Sequence, residues 1–335
     1  MFNIAGSNQQ SSSNSDRLVY VDSAKGLCVI LVVILHTLTV EDLFQDLLYV
    51  LRMPLFYFCS GLFCAGAMGL NWSRFLATKV SPIFWNYVVW STIVYFATFA
   101  VWGLLNGEKV DLIRPLTIFW WPAQTLWFLY ALGIIYILTK IVVKLPIIIG
   151  ITLAISSYSF SMYQADLLNA SFPFKIARFF PFFYLGFLLR HSIHSYVNSY
   201  NKYWPVYLAA FLGITYAAFE SNYLNVGPIG LMLGLLGIFS VLCMFCKFKR
   251  SWWVCFLSWV GKRSIFIFVI HRIPLYYANE WLKNSGFYGN MVVEFFIVAV
   301  VVGISLLVGE VLSKKVSKCF FVAPWIVQQR VLNKV

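Results

Sequence analysis

Charge is what this sequence has least of. Only 11% of its 335 residues are Asp, Glu, Lys or Arg, against about a quarter in soluble domains, so the water-facing surface of a globular protein this long cannot be assembled. Acidic groups are the scarcest, with 12 Asp and Glu against 25 Lys and Arg and a net charge of +13. The seven cysteines, Cys28, Cys59, Cys64, Cys243, Cys246, Cys255 and Cys319, are odd in number and lie in or beside apolar runs. That excludes a simple disulfide framework, and no second pair accompanies Cys243-x-x-Cys246 as a zinc site requires, so packing is the expected role and no metal is expected. No stretch alternates with the period of a membrane-barrel strand. The start of the chain has neither a basic n-region nor a small-residue cleavage site, so the first apolar stretch is expected to remain as a span. Nor is there an inverted repeat of the kind that marks many secondary transporters.

What is present in quantity is apolar: 61% of the chain is hydrophobic and 19% aromatic. The expected fold is all-α, a polytopic integral membrane helical bundle of about ten transmembrane helices with both termini cytoplasmic. Apolar runs lie near 18–40, 53–70, 81–104, 118–139, 145–163, 175–190, 204–219, 226–246, 260–277 and 290–312. The sixth is short and carries Arg178, so a tilted or re-entrant segment there would reduce the count to nine. Residues 1–16, rich in Ser, Asn and Gln, read as a disordered cytoplasmic tail, residues 17–312 as the transmembrane domain, and 313–335 as a cytoplasmic or interfacial basic tail. In a soluble protein the basic excess would suggest nucleic acid, but here it follows topology. Arg74, Lys79, Lys140, Lys144, Arg190, Lys202, Lys247, Lys249, Arg250, Lys314, Lys315 and Lys318 fall on one side of the alternating connections, the cytoplasmic one by the positive-inside rule. Glu41, Asp42, Asp46, Glu108, Asp111, Asp166, Glu220 and Glu280 fall opposite. Trp120, Trp121, Trp204, Trp252, Trp253 and Trp325 stand at span ends, where indole rings prefer the headgroup layer.

Ionisable groups within the spans carry the chemistry, since each costs about 2.5–3.5 kcal/mol or more at mid-membrane and needs a partner, a wet cavity or a function. The first span holds Asp22, Lys25 and His36. Lys25 and His36 are about three helical turns apart, close to one face and separated by ~16 Å of rise. With the amino terminus inside, Lys25 lies near the cytoplasmic mouth and His36 toward the outer half. An i,i+3 ion pair is the plain reading of Asp22 and Lys25, a hydrogen-bonded structural histidine that of His36, and a snorkelling side chain that of Arg52. Arg52, Arg178 and His271 share the expected depth of His36, whereas His191 and His194 fall in a cytoplasmic loop as solvated groups. A basic inner mouth with a histidine deeper in suits an anionic donor with a neutral reactive end, and coenzyme A thioesters have that form. A neutral imidazole there can act as general base toward a sugar hydroxyl or become acylated itself.

At these residues the chain resembles the membrane acyltransferase-3 family, particularly the branch of fucose 4-O-acetylase and related sugar O-acetyltransferases. The resemblance rests on Asp22, Lys25-Gly26 and His36; on Arg52-Met-Pro-Leu-Phe-Tyr-Phe-Cys-Ser60-Gly61; on Leu126-Trp127-Phe128-Leu129; on Pro181 to Gly186; and on Gly261-Lys262-Arg263-Ser264 to His271. The family's usual arginine is Lys25 here, which keeps the charge and loses the bidentate fork. The resemblance implies His36 as the catalytic group, with Asp22, Lys25, Arg52, Ser60, Trp127, Arg178 and His271 binding substrate. It further implies acetyl-CoA or another acyl-CoA as donor substrate with no permanently bound cofactor, a glycan or lipid-linked sugar as acceptor, contact with membrane lipid, and a multi-pass place in a bacterial inner membrane. A homo-oligomer is compatible with it. The alternative from another class is a transporter or flippase of lipid-linked glycan that binds a diphosphate without acyl transfer.

Overall fold

A computed structural model of the chain describes residues 6–37, 42–105, 107, 113–119, 126–163, 172–221, 223, 227–316 and 318–326. Every regular element among them is helical. The main helices are α1 Gly6–Thr37, α2 Asp42–Leu62, α3 Trp72–Ala100, α4 Trp127–Val142, α5 Ile147–Tyr163 and α6 Phe172–Leu189. They are followed by α7 Ile193–Tyr200, α8 Trp204–Glu220, α9 Gly227–Lys247, α10 Trp252–Lys262, α11 Ser264–Ile270, α12 Arg272–Ser285 and α13 Met291–Val311.

Five stretches are long and apolar enough to cross a membrane: Val19–Thr37 of α1, α3, α6, α9 and Met291–Lys314, which extends α13. The pair α10 and α11 makes a sixth if its 61° bend is counted within one broken span. The α4 helix and most of α5 are apolar but shorter. The segment carrying Arg178, short by its apolar run, is among the five because α6 begins at Phe172.

Several expectations are corrected. The α1 helix begins at Gly6, within the polar stretch of residues 1–16; extending a helix already nucleated by a span costs far less than starting one. Asp42 and Asp46, expected in a connection, belong to α2, which opens eleven residues before the apolar run that marked it. The expected span at 260–277 is three helices rather than one, broken at Arg263 and again at His271.

Glycines set the two tightest crossings. The α1 and α10 helices pack along one another: a Cβ on Gly26 would overlap the Leu257 carbonyl oxygen, and one on Gly261 would overlap that of Asp22. The α2 and α6 helices meet likewise, Gly61 against the Phe183 carbonyl and Gly186 against that of Phe58. Close approach of backbones through small residues is how membrane helices gain contact when lipid offers no hydrophobic drive between them. Between these crossings lies an aromatic core in which Tyr57 stacks on Phe179 at 5.1 Å and Phe128 meets both Phe56 and Phe268 edge-on.

The segment Lys318–Ile326, expected to lie cytoplasmic or along the inner surface, is bound to α3. Trp85 Nε1 donates to the Cys319 carbonyl at 2.8 Å, Trp90 Nε1 to that of Phe320 at 2.8 Å and Asn86 Nδ2 to that of Phe321 at 3.0 Å. Lys140, read as part of a cytoplasmic connection, lies within α4 and is 4% exposed. Its ammonium caps a short helical turn, Ala65–Met68, by donating to the Met68 and Leu70 carbonyls at 2.9 and 2.5 Å.

Candidate active site

His36 stands one residue from the end of α1, and His271 occupies the joint between α11 and α12. The two imidazoles stack with centroids 5.9 Å apart and planes within 17°. His271 is 0% exposed. Its Nδ1 lies 2.9 Å from the Ile267 carbonyl and 3.0 Å from that of Phe268; carbonyls only accept, so Nδ1 carries the proton. The Nε2 lone pair is then left buried without a hydrogen-bond partner among the described residues. His36 is half-buried, and Asn279 Nδ2 donates to its backbone carbonyl at 3.1 Å, tying the end of α1 to α12. The imidazole nearer the accessible side is thus backed by one that is enclosed and oriented.

Arginines surround this pair. Arg52 and Arg272 both lie close enough to act electrostatically on each imidazole. Arg52 is 8% exposed, with an Nε that has no hydrogen-bond partner among the described residues. A snorkelling role is thereby corrected: the guanidinium stays inside the bundle because α2 presents it toward the end of α1, not toward lipid.

Tyr49, one turn before Arg52 on α2, is the bridge to the next group. Arg178 donates to its hydroxyl and lies 5.2 Å from its ring centroid. Beside Arg178, Lys175 sits 4.8 Å over the Trp127 ring, which itself stacks on Phe179 at 5.8 Å. Arg52, Arg178, Trp127, His36 and His271 therefore form one connected cluster drawn from five separate segments. Tyr49 and Asn279 were not singled out from sequence, whereas Arg272 was, as the neighbour of His271. Tyr49 falls on the face of Arg52 by its i,i+3 spacing, a legible signal, whereas nothing local marks Asn279.

Toward the other end of α1, Asp22 interacts electrostatically with Lys25 and then Lys262. No direct Asp22–Lys25 ion pair occurs among the described residues, and the Lys25 ammonium lies instead 4.4 Å over the Phe63 ring. The ion-pair reading is corrected accordingly: the α1–α10 crossing brings Lys262 in, so Asp22 answers two cations. Ser60 is occupied by its own helix, donating to the Phe56 carbonyl at 2.9 Å. His194, read as solvated, is half-buried and stacks on Tyr20 of α1 at 6.2 Å; His191 is exposed. Cys243 and Cys246 are both buried.

Two cavities are notable, and neither is lined by His36 or His271. One of about 450 Å³ lies between α10 and α13 beside Trp259, Arg263 and Glu310. There Arg263 and Lys314 both pair with Glu310, at 3.4 and 2.5 Å. The other, about 210 Å³, lies among α2, α3, α4 and α11.

Comparison with curated proteins gives no match, and comparison with solved structures gives none. The family comparison does: residues 18–310 match the acyltransferase domain Acyl_transf_3. That range begins just before the α1 span and ends at the last turns of α13, so it contains every cluster residue and both glycine crossings, and the chain belongs to the acyltransferase-3 family of membrane acyltransferases.

Proposed function

We propose that this acyltransferase moves an acetyl group from cytoplasmic acetyl-CoA to a hydroxyl of a cell-surface or lipid-linked glycan, in the manner of fucose 4-O-acetylase and related sugar O-acetyltransferases. The stacked His36–His271 pair, set among arginines inside an apolar bundle, is the observation that carries the reading. Two imidazoles and two guanidiniums at membrane depth are costly to keep, and acyl transfer uses both kinds of group.

His36, the half-buried member, takes the proton of the acceptor hydroxyl as the oxygen attacks the thioester carbonyl. The ester C–O bond forms, the C–S bond breaks, and the sulfur leaves as free thiol with the proton that His36 returns. Arg52 and Arg272 stabilise the oxyanion that develops on the carbonyl between those events. Arg178, Lys175 and Trp127 offer a cation pair and an indole face to the sugar or its phosphate. Acylation of His36 itself is the competing order of the same steps, and hydroxylamine-labile label on the protein without acceptor distinguishes it.

The remaining apolar helices complete about ten spans in an inner membrane with both termini cytoplasmic, so that the Lys25 end faces acyl-CoA and the His36 end faces the acceptor. The flippase alternative is not favoured by the family.

The test is transfer of radiolabelled acetyl from acetyl-CoA by the purified protein, joined to mass analysis of surface glycan from a strain lacking it. Label entering glycan, and a glycan lighter by one acetyl increment in that strain, are the expected results. Protein that neither hydrolyses nor transfers acetyl-CoA would overturn the reading.

A further inference from the structure

The crevice of about 210 Å³ among α2, α3, α4 and α11 is apolar except for Asn86 and Ser264, and Asn86 carries an atom that the walls leave unanswered. Asn86 is 7% exposed. Both hydrogens of its amide are committed, to the Pro82 carbonyl at 2.9 Å and the Phe321 carbonyl at 3.0 Å. Its Oδ1 is buried with no hydrogen-bond partner among the described residues. With the nitrogen assigned by two carbonyls, the unsatisfied atom is an acceptor, and an acceptor left dry in an apolar crevice calls for a donor from a ligand.

The crevice meets the histidine pair at one end, and from Phe56 in its lining the end of α2 runs on toward the Lys25 mouth. Phe56, Ser60 and Phe63 share one face of the chain through the end of α2 by their spacing, a climb of about 10 Å, and Lys25 lies over Phe63 at the foot of it. At the other end Phe268, which lines the crevice, has its ring 6.3 Å from that of His271 and accepts from His271 Nδ1 at 3.0 Å. The volume equals that of about seven waters at ~30 Å³ each, enough for a length of chain and too little for a nucleotide.

We propose that this crevice binds the pantetheine arm of acyl-CoA, with Asn86 Oδ1 accepting an amide N–H of the arm and the thioester carried past Phe268 to the histidine pair. The proposal rests on the acyl-CoA donor of the preceding section. The arm is an aliphatic chain interrupted by two amides, so it matches apolar walls with one orphaned acceptor. A lipid tail or polyprenyl chain would fill the same walls and leave Asn86 unanswered. The nucleotide then stays at the Lys25 mouth, where the bases are.

The experiment measures radiolabelled acetyl-CoA binding to the full chain in nanodiscs. Leu132→Trp, which fills the crevice, should weaken binding at least about tenfold, and Asn86→Leu about five- to tenfold, the worth of one hydrogen bond. Because either variant can fail to fold, wild-type protein is also photolabelled with an acetyl-CoA analogue bearing a diazirine on its pantetheine arm. Label on peptides from α4 or α11 that unlabelled acetyl-CoA displaces is the expected result. If wild type binds and consumes acetyl-CoA while folded variants bind it equally well, or the label falls outside these helices, the arm lies elsewhere and the proposal is wrong. Labelling of the crevice by a diazirine phospholipid that acetyl-CoA does not displace likewise assigns it to lipid. Wild type that neither binds nor consumes acetyl-CoA removes the donor reading itself, a result distinct from these.

Discussion

His36 and His271 differ in their surroundings. His271 has its proton held on Nδ1 by two backbone carbonyls, which leaves Nε2 as an acceptor inside a closed site, while His36 keeps a partly open face. Replacing His36 with Ala should lower acetyl transfer by at least about 10²-fold, the usual worth of a positioned base, without changing the amount of folded protein recovered. His271→Gln, which retains a side-chain amide near the Ile267 and Phe268 carbonyls, should retain more activity than His271→Ala; equal loss in both would show that the tautomer lock has no part in activity. The positions of these groups were legible because a membrane span seldom keeps an ionisable side chain without use. Their partnership was not legible, since 235 positions separate them and only the break before α12 turns His271 toward the end of α1.

Helices in this protein meet where the motifs place glycine. Gly26, Gly61, Gly186 and Gly261 each belong to a segment on which the family resemblance rests, and each presses on a backbone carbonyl of its partner helix. Part of what those motifs specify is thus helix approach, and the charges beside them are carried to their places by it: Lys262 reaches Asp22 because α10 lies against α1. Gly26→Val and Gly261→Val should each reduce thermal stability in detergent strongly, by about 1–3 kcal/mol or more as overpacking against backbone. Gly303→Ala on α13, where a Cβ would meet nothing within 4 Å, should be neutral or slightly stabilising, up to about 1 kcal/mol from helix propensity. Comparable destabilisation at all three sites would refute the crossing argument. Apolar runs revealed that these helices exist, but not their bends, because the local sequence around Arg263 is compatible with a continuous helix and packing decides otherwise.

At the scale of the molecule, the bundle is closed by a part of the chain that composition marked only as a basic tail. Three side-chain N–H groups of α3 hold carbonyls of Cys319, Phe320 and Phe321, and Trp325 stacks edge-on with Trp85 at 5.6 Å. Trp90→Phe removes one of these donors and should lower the melting temperature modestly, about 1 kcal/mol for one hydrogen bond. Removal of residues 318–335 should cost considerably more, and an unchanged melting temperature after that deletion would mean the strap is not part of the cooperative unit. The proposed orientation adds a separate expectation: in sealed inside-out vesicles, proteolysis or a membrane-impermeant label should reach tags at both termini, and protection of either tag contradicts a cytoplasmic location for it.

The sequence by itself determined the class of this protein, an all-helical membrane acyltransferase with its ionisable groups inside, because scarce charge and long apolar runs admit few other solutions and because the motif residues are local in the chain. It also marked most of the ionisable residues that the cluster contains, though not Tyr49 or Asn279. The tertiary structure decided which of them meet: His36 with His271, Arg52 with both, and Arg178 with Tyr49 rather than with an acid. Those pairings depend on helix crossings and on the break before α12, which bring together residues distant in sequence and whose geometry periodicity along a single helix does not contain.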